Sequence, residues 1–341
     1  MIGFTRRGFV GGMAMTPLLA HAAEAARDPY SYVDPELAAA LKKFPQGEPP
    51  NAKNLASIRA GDQDAPPSGP PELQPRKLTI PGKGGTEITV FVVDPTPTGK
   101  NRPATIYIHG GGYITGRAGN SLRLLQDAAK TTNSLVVSVD YTLAPDVHFP
   151  VSLEQNYAAL AWLNHNEAEL GIDPARIAVL GDSAGGGHAA MLAIAARDRK
   201  EFKLAFQCLI YPMLDDRTGS TRQMPPYMGH FLWTAAANKF GWTSLLGQPA
   251  GSASPPPGSV PARLKDLSGL PPTFIGVGSI DLFCDEDIEY ARRLTMAAVP
   301  TELLIVPGAY HGFDIVAPEA RLTLQFMETW RNALKRGLGI A

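Results

Sequence analysis

Ile177-Ala178-Val179-Leu180-Gly181-Asp182-Ser183-Ala184-Gly185-Gly186-Gly187 runs four apolar residues straight into a G-x-S-x-G pattern, with the helix-like stretch His188–Arg197 behind it. A strand that turns abruptly into a helix forces the central serine into a strained backbone and lifts its Oγ clear at the sheet edge. Flanking glycines keep other side chains away, and the N–H groups from Ala184 onward point into the same space at a helix N-terminus. The bare pattern also occurs in Gly-rich helix-capping turns. The strand before it and the helix after it make Ser183 a candidate nucleophile.

Upstream, Ile106-Tyr107-Ile108 leads into His109-Gly110-Gly111-Gly112-Tyr113. Three successive glycines are costly in chain entropy, and close backbone approach to a ligand is a reason to keep them. A donor aimed at a developing oxyanion contributes about 3–4 kcal/mol in measured cases. The candidates are the N–H groups of Gly111, Gly112 and Ala184, with His109 and Gly110 supporting the loop. A dinucleotide site is the competing reading of such a turn, and Asp140 closes the next strand candidate; the glycines nevertheless lack the G-x-G-x-x-G spacing.

Downstream, Asp281 follows the strand candidate Thr273–Val277, and His311 follows Leu303–Val306 within Pro307-Gly308-Ala309-Tyr310-His311-Gly312-Phe313. Loops at the carboxyl ends of strands in an α/β sheet converge on one crevice. Serine needs an imidazole to take its proton, and the imidazole needs a carboxylate to fix its tautomer. The chain order Ser183, Asp281, His311 is nucleophile, acid, base. Asp285 is the alternative acid; with Glu286 and Asp287 it reads as a helix start. His188 is expected to point away from Oγ, whereas His148 and His230 are open to facing the pocket. No paired H-x-x-x-H pattern supports a metal.

Further strand candidates lie at Thr86–Val93, Ala104–Ile108, Leu135–Val139 and Ala205–Ile210, alternating with helix-like Leu153–Leu170, Asp285–Ala298 and Arg321–Leu334. That alternation predicts an α/β architecture with a mostly parallel sheet flanked by helices. Residues 23–80 read as an arm with a short helix at Pro35–Lys43 and a proline-rich stretch at Ala65–Pro75. Residues 81–341 form the main domain, interrupted by an aromatic insertion, Asp215–Gly258, expected to act as a cap.

The 341 residues are 44% hydrophobic with a net charge of -1, enough for a sizeable core and without the charge bias of a nucleic-acid or anionic-membrane partner. Cys208 and Cys284 exclude a disulfide-dense scaffold and leave open a single bridge. Residues 1–22 carry Arg6-Arg7, a short apolar run and Ala20-His21-Ala22, the parts of an export signal resembling the twin-arginine type. The run is too short and Gly-rich for a membrane span.

Four motifs in order resemble the bacterial hormone-sensitive-lipase-like esterases: His109–Gly112, Tyr141-Thr142-Leu143-Ala144-Pro145-Asp146, Gly181–Gly186 and His311–Phe313, over residues 86–335. The resemblance implies an α/β-hydrolase fold with a cap, a Ser183–His311–Asp281 triad and an oxyanion hole at Gly111, Gly112 and Ala184. It implies cofactor-free hydrolysis of short- to medium-chain acyl esters, small-molecule substrates. An amidase or peptidase with the same triad, and a non-catalytic binding protein, are the alternatives. Three positions depart from the family pattern: Asp281-Leu282-Phe283 where Asp-Pro-Leu is common, Gly187 where Asn is frequent, and Thr142 in place of Arg.

The leader reading places the mature N-terminus near Ala23 in a periplasmic or secreted protein. Intact-mass measurement of exported protein checks this, and an exported chain that retains Met1 rejects it.

Overall fold

The structure, a computed structural model, describes residues 28–45, 47–64 and 70–340, so the leader reading lies outside the described residues. Helices α1 (Pro35–Leu41) and α2 (Leu55–Gly61) precede strands β1 (Arg76–Pro81) and β2 (Glu87–Val93). The chain then alternates: β3 (Arg102–Ile108), α3 (Leu122–Thr132), β4 (Leu135–Val139), α4 (Val151–His165), α5 (Glu167–Leu170), β5 (Ile172–Asp182) and α6 (Ala184–Arg199). It continues with β6 (Phe206–Ile210), α7 (Ala235–Leu246), β7 (Thr273–Gly278), α8 (Cys284–Met296), β8 (Thr301–Val306), α9 (Phe313–Val316) and α10 (Arg321–Gly337).

The eight strands form one sheet in the order β1-β2-β4-β3-β5-β6-β7-β8, antiparallel at β1/β2 and β2/β4 and parallel elsewhere. Strand alternation divides the core. Ile106, Ile177 and Val179 face one layer with α4, α6 and α8, while Tyr107, Ala178 and Leu180 face the other with α3 and α10. Both faces are therefore apolar, as a covered parallel sheet requires. The connection from β4 to β5 crosses back over β3, so the order reverses between β3 and β5. Ligand crevices in open α/β sheets form outside the carboxyl ends of strands at such a reversal. The glycine loop leaves β3 there, and Ser183 leaves β5 beside it.

The expected α/β architecture is present, with local differences. Regular structure starts before Thr86: β1 pairs along β2, and all of it but Pro81 lies within the stretch read as arm. The helix expected over Leu153–Leu170 breaks at Asn166 into α4 and α5. Helix α3 lies between two of the expected strands, with Leu122, Leu125, Ala128, Ala129 and Thr132 forming its buried stripe. Cys208 and Cys284 are both free and buried.

The arm does more than lie on the surface. Asp34 donates its N–H to Gly308 O at 3.0 Å, and Arg321 donates its N–H to Glu36 Oε1 at 2.8 Å, tying the arm to the loop that carries His311 and to the helix after it. On the opposite side, Arg59 donates from Nε to Ile114 O (2.7 Å), from Nη2 to Ala144 O (2.5 Å) and from Nη1 to Asp146 Oδ2 (2.9 Å). Asp62 accepts the N–H of Gly116 at 2.9 Å. Arg59 thus joins the glycine loop after β3 to the segment Tyr141–Asp146, where Thr142 carries no charge and instead pairs with Gln155. A charged donor shared by two loop carbonyls and a carboxylate fixes loop position more firmly than a neutral bond. Arg59→Ala is expected to lower kcat about tenfold, on the order of 1.4 kcal/mol, with a smaller change in KM. Steady-state kinetics on a soluble ester check this; an unchanged kcat shows that the loop holds itself.

Candidate active site

Ser183 caps α6 with φ 54 and ψ -122, a left-handed backbone that a non-glycine residue adopts only under constraint. Its N–H donates to Ile210 O at 2.8 Å, and its own carbonyl accepts from Gly187 N–H (3.0 Å) and Met213 N–H (2.9 Å). The turn is that tight because the neighbouring glycines allow it: a Cβ on Gly185 would overlap the carbonyl of Ile108. At Gly187, the position lacking the family's Asn, a Cβ would overlap the Tyr113 hydroxyl and Met213 O.

Asp281 and His311 hang from adjacent loops after β7 and β8, and backbone bonds lace these loops together. Ser279 donates its N–H to Val306 O (2.9 Å), Ile280 to Ala309 O (3.1 Å), and Gly308 to Ser279 Oγ (2.8 Å). The result is a continuous relay. His311 Nε2 lies 2.9 Å from Ser183 Oγ, and His311 Nδ1 lies 2.8 Å from Asp281 Oδ2. A carboxylate only accepts, so Nδ1 carries the proton and Nε2 is free to accept from the serine hydroxyl. The other oxygen of Asp281 accepts the Phe283 N–H at 3.0 Å. Leu282 and Phe283, departures from the family pattern, leave this geometry intact. Phe283 and Tyr211 pack edge-on against the imidazole at 5.1 and 4.8 Å.

The glycine loop meets this relay from the β3 side. Gly111 has φ 112 and Gly112 φ 60, both in the left-handed region. The Gly111 carbonyl is turned away, accepting from the N–H groups of Ile114 and Thr115 and from the Thr115 hydroxyl. Among the described residues the Gly111 and Gly112 N–H groups have no hydrogen-bond partner, and the first N–H of a helix, that of Ala184, is unpaired by construction. Ser183 and His311 are only 6% and 8% exposed, so the site is roofed over. The roof comes from the excursion between β6 and β7: Trp233 lies against Gly112, and Phe231 packs on Tyr310. The arm completes it, with Tyr30 against Phe231 and Tyr32 stacked on Tyr227 at 4.5 Å.

Four other histidines resolve as follows. His109 is buried, stacked on Tyr141 at 4.2 Å, and donates from Nδ1 to Gly110 O at 2.8 Å; burial pulls its pKa down to about 4. It is a neutral brace for the loop. His188 lies edge-on to Tyr113 and Tyr141 while Ser183 Oγ pairs with His311, and burial lowers its pKa to about 3. His148 bonds Ser244 O, and His230 is exposed on the cap, so neither faces the serine. Asp140 accepts the Ala118 N–H.

The acidic run after Asp281 does open α8, but only Asp285 behaves as a solvated helix-start residue, paired with Arg222. Glu286 is fully buried and accepts the N–H groups of Leu214 (2.6 Å) and Asp215 (3.1 Å), which anchors the start of the excursion. Burial, then Asp215, pushes its carboxyl well above the usual range. Asp287 is equally buried, and its carboxyl is raised likewise. Composition and spacing carried no sign of this. Among the described residues no cluster of side chains suits a metal ion.

The sequence profile of the α/β-hydrolase fold matches residues 105–315, well over half the chain. The chain belongs to the α/β-hydrolase family. Within it, the chain is 35% identical over 296 residues to carboxylesterase NlhH of Mycobacterium tuberculosis, covering 84% of this chain and 92% of that one. It is 34% identical over 248 residues to esterase LipI of the same organism, covering 71% and 76%. Among solved structures, a bacterial heroin esterase superposes with a TM-score of 0.78 at 36% identity, covering 91% of this chain and 99% of that one. Esterase LipW from Mycobacterium marinum follows at 0.77 and 30%, covering 90% and 96%.

The lowered His188 pKa has a signed consequence. Below pH 6.5 the unfolded chain protonates this imidazole while the folded protein excludes the proton, so folding loses stability as pH falls toward the folded value of about 3. His188→Leu removes that loss. Relative to wild type, the variant is expected to gain about 1.4 kcal/mol per pH unit between pH 6 and 4. Urea denaturation across that range checks it, and parallel stability curves for the two proteins reject it.

Proposed function

We propose that this protein is a serine carboxylesterase in which Ser183 is the nucleophile, His311 the general base and Asp281 the orienting acid. The relay from Ser183 Oγ through His311 to Asp281, 2.9 and 2.8 Å long, carries the reading. In the first step His311 Nε2 takes the hydroxyl proton as Oγ attacks the ester carbonyl. The oxyanion that forms is met by the N–H groups of Gly111, Gly112 and Ala184, whose left-handed and helix-initial backbone holds them ready before substrate binds. The imidazolium, stabilised by Asp281, then protonates the departing alcohol and leaves an acyl-enzyme. In the second step His311 takes a proton from water as the water oxygen attacks the acyl carbon; the C–Oγ bond then breaks, the imidazolium returns the proton to Ser183 Oγ, and the carboxylic acid leaves. No cofactor enters either step.

The aromatic roof favours apolar acyl and alcohol groups, and short- to medium-chain esters are the proposed substrates. The basic and apolar start of the chain supports an exported enzyme.

A p-nitrophenyl ester series from acetate to palmitate, run on wild type and Ser183→Ala, tests the assignment. The variant is expected to lose activity on the order of 10⁴-fold or more, and wild-type turnover is expected to peak at the short end. Retained activity in Ser183→Ala removes the nucleophile; a peak at palmitate makes the enzyme a lipase.

A further inference from the structure

One residue of the roof is fixed in a way that packing alone does not require. Trp233 lies with its indole over Gly112, so close that a Cβ on that glycine would overlap the ring. The same ring stands 6.4 Å from the imidazole of His311. Its Nε1–H donates to Asn238 Oδ1 at 3.2 Å, and Asn238, fully buried on α7, donates in turn to Thr218 O at 2.7 Å. The residue before it, Leu232, has φ 58. A leucine in the left-handed region persists only when its surroundings impose it. The chain bends there, and the bend aims the indole into the site.

The stereochemistry of the reaction states what that ring meets. A tetrahedral intermediate on Ser183 has three substituents besides Oγ. Its oxyanion must face Gly111, Gly112 and Ala184, and its leaving oxygen must face His311 Nε2. A ring that touches Gly112 and stands beside His311 lines the side on which the alcohol departs. The acyl chain takes the remaining substituent position.

We propose that Trp233 is the specificity wall for the alcohol portion of the substrate. It admits primary alkyl and planar aryl alcohols, which slide along or stack on the indole, and excludes branching at the oxygen-bearing carbon. This inference rests on the esterase reading and narrows it to a substrate class.

The test holds one half of the ester constant while varying the other. Ethyl, isopropyl and tert-butyl acetate vary the alcohol; ethyl acetate, butyrate and hexanoate vary the acyl chain. Each series is measured as kcat/KM on wild type, Trp233→Ala and the more conservative Trp233→Phe, with Asn238→Leu as a variant that keeps the ring but removes its anchor. Trp233→Ala is expected to raise the tert-butyl to ethyl ratio at least about tenfold, the size of effect a filled or emptied apolar pocket produces. Trp233→Phe and Asn238→Leu are expected to raise it less, and the acyl profile is expected to hold its shape in all three. Because the readout is a ratio, loss of folded protein does not imitate it, and the two milder variants supply it if Trp233→Ala does not fold. A ratio unchanged in variants that still hydrolyse ethyl acetate, or a shift in the acyl profile instead, overturns the assignment of Trp233. A wild type inactive on every ester in both series counts against the esterase reading itself.

Discussion

The arrangement depends on one strained residue. Ser183 sits at φ 54 between β5 and α6, and that conformation costs on the order of 1–3 kcal/mol. The surroundings hold it there. Hydrogen bonds from both sides of its peptide reach β6 and the segment after it, and the neighbouring glycines let α6 start almost in contact with the end of β3. A side chain on Gly185 would push α6 from the sheet, and Ser183 would relax. The glycine loop after β3 and the helix N-terminus after β5 would then no longer face one point.

Electrostatics sort the polar groups around that point. Burial keeps His109 and His188 neutral, so the first can brace a loop and the second can pack between tyrosines without bringing charge near the serine. His311 is the histidine joined to both a carboxylate and the nucleophile among the described residues. Asp182, next to Ser183, has its pKa raised to about 6 chiefly by burial and accepts a hydrogen bond from Tyr107. Asp281 accepts from the His311 imidazole and from the Phe283 N–H.

Short-range pattern made the central sheet and the three site loops legible. A strand ending in Gly-x-Ser-x-Gly, three glycines after another strand, and Asp and His after the last two strands each follow from local chemistry and chain order. What escaped the sequence is what only tertiary packing decides. Arg59 and Asp62 lie in a polar stretch with no periodic stripe to single them out, yet they hold the glycine loop through partners 54 to 87 residues away. Glu286 and Asp287 look like helix-start acids, and nothing local distinguishes them from the exposed Asp285. Helix α3 is a different case, since the apolar spacing of Leu122, Leu125, Ala128 and Ala129 is present in the sequence.

The arm also bears on how the site comes into being. Tyr310 Oη reaches Leu37 O across 273 residues of sequence, and Asp34 meets Gly308, so the first described segment of the chain closes on the loop that carries His311. During synthesis the arm leaves the ribosome long before that loop exists. Contacts so distant in sequence form late, because the intervening chain must already be in place. The relay is therefore completed only when the far end of the chain has been made, and a chain that stops before His311 holds the serine without the imidazole that lies beside it.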